Sequence, residues 1–283
     1  MRLGGGEVVS LDRAEAIIWA DDRPADLRAV LHRGIKWVQL SSAGIEDWLA
    51  AGVIDDRRRW TAATGVYARP IAEYLIAAIL AAARRLPLHV NSRNWKSLEA
   101  QTLDGATVGI IGAGGIGTAL IELLQPFDAR TIAVTRTGRR VPGADTSLGP
   151  DDIDIVVAAS DFLVLATPDT GATRGMLGAA RLAKMRPDAW LINVGRGTAV
   201  DTAALVAALE RGQIGGAILD VTDPEPLPDD HPLWRLPNAV ITAHTASTPA
   251  LGAKALTDRV EENVRRFRSG EPLLGQIELS RGY

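Results

Sequence analysis

The run VGIIGAGGIG at 108–117 constrains this chain more than any other feature. A short β-branched stretch enters a G-x-G-x-x-G turn, and a helical pattern over 118–125 follows. A dinucleotide needs that context. Gly112 permits a tight turn, Gly114 lets the backbone approach a pyrophosphate, and Gly117 lets helix and strand pack closely. Gly115 and Ile116 open the helix, whose first N–H groups and positive dipole end suit phosphate. The spacing alone is a weak signature. Its place between a strand and a helix is what makes it informative.

The pattern beyond the turn supports a sheet of the same kind. Strands are expected at 107–111, 131–135, 162–166, 190–194, 217–221 and 239–242, with helical stretches between several of them, notably 202–211. Alternating strands and crossover helices predict a parallel, doubly wound α/β sheet. The first hundred residues read as shorter strands at 7–9, 16–19, 36–40 and 62–67. Pro70 then opens a long helix over 71–85. A polar connector spans 91–105, and an amphipathic helix over 249–268 is long enough to return to the first domain. The expected domains are therefore 1–98 completed by 249–283, and 99–248.

Composition excludes several function classes. The net charge of −3 gives no nucleic-acid surface, and Arg57-Arg58-Arg59 after Asp55-Asp56 reads as a solvated loop. With no cysteine there is no disulfide, thiolate nucleophile or cysteine-ligated metal. His32, His89 and His231 share no metal-ligand spacing, so no metal site is expected. The longest apolar run, 75–83, is too short to span a bilayer, and residues 1–6 carry no signal-peptide core. The default location is cytoplasmic. Trp95 and Trp234 read as packing or interface residues rather than chemical ones.

In a doubly wound sheet ligands sit beyond the carboxyl ends of the strands. Three polar residues follow three successive expected strands there: Arg196 between two glycines, Glu225 between two prolines, and His244. Each alone has a bland reading, as a solvated arginine, a turn glutamate or a structural histidine. Together they suit hydride transfer to the carbonyl of a 2-oxo acid. A guanidinium matches a carboxylate with paired hydrogen bonds. His244 can donate a proton to the carbonyl oxygen, with Glu225 orienting the ring and favouring its charged form.

With these residues in place the sequence resembles the D-isomer-specific 2-hydroxyacid dehydrogenases, and does so over nearly the whole chain. The resemblance rests on Gly112 to Gly117, LINVGRG at 191–197, LDVTDPEPLP at 219–228 and TAHTAS at 242–247. It implies that Arg196, Glu225 and His244 are the catalytic arginine, glutamate and histidine. It implies that Asp220 contacts the nicotinamide side, that Thr167, Pro168 and Val194 contact the cofactor, and that backbone N–H groups of Ser42, Ala43 and Gly44 bind the substrate carboxylate. It further implies a Rossmann domain plus a smaller flavodoxin-like substrate domain, an active site in the cleft, and a homodimer. In the family a strand and helix normally precede a segment like the one at 4–9. The expectation here is a first domain short of that unit, with Glu7-Val8-Val9 pairing beside 16–19 and a less rigid 42–44 loop.

Cofactor choice is partly readable. An NAD site wants an acid at the end of the second strand, to bond the ribose 2′-OH. Residues 131–140 contain none, and Asp128 comes too early. Arg136, Thr137, Arg139 and Arg140 suit a 2′-phosphate, so NADP is expected over NAD. The expected function is reduction of a small 2-oxo acid such as glyoxylate or hydroxypyruvate to the D-2-hydroxy acid. The alternatives are a dinucleotide-sensing protein with little turnover and a phosphoglycerate dehydrogenase-like enzyme.

Overall fold

The computed structural model describes residues 4–92, 94–95 and 97–279. Its first elements are β1 (Ala16–Trp19), α1 (Pro24–Val30), β2 (Trp37–Leu40), α2 (Glu46–Ala50), β3 (Arg59–Thr61), α3 (Ala68–Ala83) and α4 (Leu86–Asn91). Next come β4 (Thr107–Ile111), α5 (Gly115–Leu124), β5 (Arg130–Val134), β6 (Thr146–Leu148), α6 (Ile153–Ala159) and β7 (Phe162–Leu165). The last are α7 (Ala179–Leu182), β8 (Trp190–Asn193), α8 (Thr202–Glu210), β9 (Gly216–Leu219), β10 (Ala239–Ile241) and α9 (Pro249–Ser269). The chain divides into two compact units, residues 1–67 with 248–283, and residues 68–247. This division runs earlier than the expected 98/99 boundary, because α3 packs on α5 within the larger unit.

The larger unit holds a seven-stranded sheet in the order β10-β9-β8-β7-β4-β5-β6, parallel at every pairing. Strands buried on both faces need continuous apolar runs, which Phe162–Leu165 and Gly216–Leu219 supply. Successive side chains alternate between the two faces. Val108, Ile110, Phe162, Val164, Trp190 and Ile192 join the core under α3 and α5. Ile111, Leu163, Leu165 and Leu191 join the opposite core with α6 and α8. The strand order reverses between β4 and β7, and a dinucleotide crevice belongs at such a point.

The smaller unit holds a three-stranded parallel sheet, β1-β2-β3. Helix α9 is keyed to it through buried polar groups. Asn263 Nδ2 donates to Gln39 Oε1 on β2 at 2.9 Å, and both residues are fully buried. Matching partners of this kind remove the cost of burying two amides.

Several expected elements differ. Residues 7–9 form no strand, and Val8 is 65% exposed. Too few residues separate 7–9 from β1 for the crossover that a parallel pair requires. The strand expected at 62–67 is β3, which begins three residues earlier and ends at Thr61, and the segment after it is a loop. The helix expected from 71 begins at Ala68, with Pro70 inside its first turn, where the missing N–H costs nothing. Strand β6 is an addition to the six expected in the larger unit. It is three residues long, too short for a periodicity to register.

Candidate active site

The glycine turn is built as its spacing requires. Gly112 has φ +98°, and a Cβ there would lie 2.6 Å from the Ala166 carbonyl oxygen. The loops after β4 and β7 thus touch at the point where the strand order reverses. A Cβ on Gly117 would meet Ile110 Cγ2 at 3.0 Å, so that glycine sets the helix-to-strand distance. A Cβ on Gly114 would meet nothing within 4 Å. The bare backbone there faces open space beside the first turn of α5, which Gly115 and Ile116 begin.

The rest of that crevice fits a dinucleotide. Thr167 Oγ1 is buried and has no partner among the described residues. Pro168, next along, accepts the Thr173 hydroxyl at 2.7 Å through its carbonyl, which fixes the loop. Val194 is buried at the end of β8. Beyond β5, Arg136 and Thr137 form an exposed turn, and Gly138 N–H donates back to the Thr135 carbonyl at 3.2 Å. Arg139 Nη2 reaches the Ala113 carbonyl in the glycine turn at 3.4 Å. The basic loop and the glycine turn are therefore neighbours, as a cofactor carrying a ribose phosphate needs. Among the described residues no cluster of His, Asp and Glu has the arrangement of a metal site.

Arg196, Glu225 and His244 follow three adjacent strands, β8, β9 and β10. The fully buried amide of Asn193 anchors the first loop, accepting from Gly195 N–H at 3.0 Å and donating to the Arg196 carbonyl at 2.9 Å. Arg196 is half-buried, and its Nη1 donates to the Gly195 carbonyl at 2.9 Å. Gly197 is pressed against the second loop, since a Cβ there would lie 1.9 Å from the Thr222 carbonyl. Only glycine lets these two loops approach so closely. In the second loop Glu225 Oε2 accepts from Thr222 N–H at 3.4 Å.

The third loop brings the histidine to the glutamate. His244 Nδ1 lies 2.7 Å from Glu225 Oε1, with both side chains about half exposed. The other ring nitrogen, Nε2, is thereby left as the one that can face a reactant. His244 has φ +53°, a left-handed conformation that costs a non-glycine residue roughly 1–2 kcal/mol. Asp220 holds it there. Its carbonyl accepts the His244 N–H at 2.9 Å. Its buried carboxylate accepts from Thr245 N–H at 2.8 Å, Ala246 N–H at 3.0 Å and the Thr242 hydroxyl. Asp220 is the residue expected on the nicotinamide side of the site. Its carboxylate is engaged with the histidine turn.

The Ser42-Ala43-Gly44 loop lies at the carboxyl end of β2 in the smaller unit. Ser42 Oγ accepts from Trp48 Nε1 at 3.2 Å, and the Ser42 carbonyl accepts from Ala63 N–H at 2.8 Å. Tyr67 donates to the adjacent Ser41 carbonyl at 2.6 Å. Asn193 and Tyr67, neither of them among the expected site residues, hold these loops from outside. A polar residue closing an otherwise apolar strand was the signal for Asn193.

A family model described as D-isomer specific 2-hydroxyacid dehydrogenase, NAD binding domain, matches residues 76–246. The chain belongs to this family. Among its relatives, an uncharacterised protein encoded in the proB 3′ region of Corynebacterium melassecola is 44% identical over 89% of this chain and 85% of its own length. Glyoxylate/hydroxypyruvate reductase A of Salmonella newport is 32% identical over 75% of this chain and 68% of its own. A solved family member from Xanthobacter autotrophicus Py2, in complex with NADPH and MES, is similar with a TM-score of 0.85. It is 30% identical, with 99% of this chain and 89% of that one covered. The NADPH-dependent glyoxylate/hydroxypyruvate reductase of Sinorhizobium meliloti, with NADP and sulfate, has a TM-score of 0.84 and 27% identity. That match covers 95% of this chain and 86% of that one. No helix among the described residues is long and apolar enough to cross a membrane.

Proposed function

We propose that this family member reduces a small 2-oxo acid of the glyoxylate or hydroxypyruvate class to the D-2-hydroxy acid, with NADPH preferred over NADH. The observation that carries the reading is the 2.7 Å pairing of His244 with Glu225, on the sheet edge that also bears Arg196. The curated reductases among its relatives, named for glyoxylate and hydroxypyruvate, support the substrate class.

The glycine turn, the α5 N-terminus, Thr167, Pro168 and Val194 would hold the dinucleotide. When bound, the reduced nicotinamide supplies the hydride. Arg196 binds the substrate carboxylate and draws electron density from the adjacent carbonyl. Glu225 fixes the imidazole through Nδ1, which turns Nε2 to the carbonyl oxygen as proton donor. In the smaller unit, the Ser42-Ala43-Gly44 loop after β2 would offer backbone N–H groups suited to a carboxylate. Arg136, Thr137 and Arg139 take the 2′-phosphate. Two partly exposed charge-assisted contacts there favour NADPH by roughly 10–100-fold. A cytoplasmic homodimer belongs to the same proposal, and light scattering on the purified protein tests its mass.

The test is loss of reduced-nicotinamide absorbance with a panel of 2-oxo acids, run with NADPH and with NADH. Turnover of glyoxylate or hydroxypyruvate with NADPH is expected. Tight NADPH binding without oxidation by any member of the panel would replace this reading with a dinucleotide sensor.

A further inference from the structure

We propose that Tyr74, on α3, is a positioning residue for His244, acting through the hydrogen-bonded chain Tyr74–Thr242–Asp220. The inference rests on the reading of His244 as proton donor.

The chain is continuous. Tyr74 Oη lies 2.9 Å from Thr242 Oγ1. Thr242 Oγ1 donates to Asp220 Oδ1. Asp220 in turn holds the N–H groups of Thr245 and Ala246 by its carboxylate and that of His244 by its carbonyl. Donor arithmetic fixes the direction. A threonine has one hydroxyl hydrogen, and Thr242 gives it to the carboxylate, so Tyr74 must donate to Thr242. Burial, with the Asp220 charge nearby, pushes the Tyr74 phenol above its ordinary value, which keeps that hydrogen in place.

The histidine turn needs such a hold. His244 sits in a left-handed conformation, and its side chain is about half exposed, so packing does little to fix it. The turn is instead held by hydrogen bonds that converge on Asp220. Tyr74 extends this hold to α3, whose Leu75 and Ile79 are fully buried in the core of the larger unit. A rigid helix thereby backs a turn that has no strand or helix of its own. Hydrogen-bonded chains of this kind act as a unit, so deleting two members costs little more than deleting one.

The experiment uses the full chain with NADPH and glyoxylate. Tyr74→Phe removes only the hydroxyl. Its kcat should fall about 3–10-fold, the scale of one neutral hydrogen bond, with glyoxylate KM and NADPH Kd within about twofold of the parent. Thr242→Val should reproduce the loss, Thr242→Ser should restore most of it, and the double variant Tyr74→Phe/Thr242→Val should be no worse than Thr242→Val. Single-turnover rates in a His244→Ala background should be indifferent to Tyr74→Phe. An unchanged kcat in Tyr74→Phe, additive losses in the double variant, a weakened NADPH Kd, or an equal loss in the His244→Ala background would each overturn the proposal. Failure of the underlying reading looks different, because His244→Ala would then turn over normally.

Discussion

The glycine turn after β4 and the Arg196–Glu225–His244 edge lie at the same end of one sheet, yet they are made in opposite ways. The turn works by missing atoms. Gly112, Gly114 and Gly117 each omit a Cβ, within six consecutive residues, and their effects are local. The edge works by added contacts between three loops. Gly197 presses on Thr222, Glu225 meets His244, and Asp220 grips the turn beyond β10. A site made of absences should tolerate changes elsewhere but no added methyl. A site made of converging loops should lose rate whenever one contact is cut.

The sharpest break in that comparison is His244→Ala. It should lower kcat by roughly 10²–10⁴-fold, the usual worth of general acid–base catalysis, while NADPH Kd measured by fluorescence titration stays near the parent. A matching collapse of cofactor binding would mean the edge and the turn are one site energetically. Arg196→Lys comes next. It keeps the charge but loses the paired geometry, and glyoxylate KM should rise about 10–100-fold in steady-state assays. An unmoved KM would take substrate anchoring away from the edge.

On the side of the turn, Arg136→Asp should repel a 2′-phosphate and offer an acceptor to a 2′-OH. The ratio of kcat/KM for NADPH over NADH should fall by about tenfold or more. A ratio that stays put would make the loop a solvated basic turn. Stability measurements separate glycines of one motif. Gly112→Ala adds a methyl 2.6 Å from a carbonyl oxygen at φ +98°, and should cost roughly 2–4 kcal/mol in denaturant titration. Gly114→Ala meets no protein atom within 4 Å, and should cost at most about 1 kcal/mol, the loss of a glycine helix cap. Its mark should appear instead as weaker NADPH binding. Equal stability losses in the two variants would show that Gly114 serves the fold rather than a ligand.

The sequence by itself determined the parallel α/β sheet, because a buried parallel strand must be an apolar run. Six such runs stand in the larger unit at nearly their observed bounds, β4 from Thr107 to Ile111 without a shift. It also determined the glycine turn, since φ > 0 and close backbone approach single out glycine residue by residue. It placed Arg196, Glu225 and His244 after successive strands, but it could not place them against one another. Tertiary structure decided that Nδ1, not Nε2, meets the glutamate, that Gly197 yields to the Thr222 backbone, and that Asp220 holds the histidine turn. It also decided that 7–9 is no strand and that α3 packs on α5. Each of those depends on atoms far apart in the chain, as in the 168-residue separation of Tyr74 and Thr242. Residue patterns report local periodicity and steric need, whereas such contacts exist only once the sheet has brought its loops to a common end.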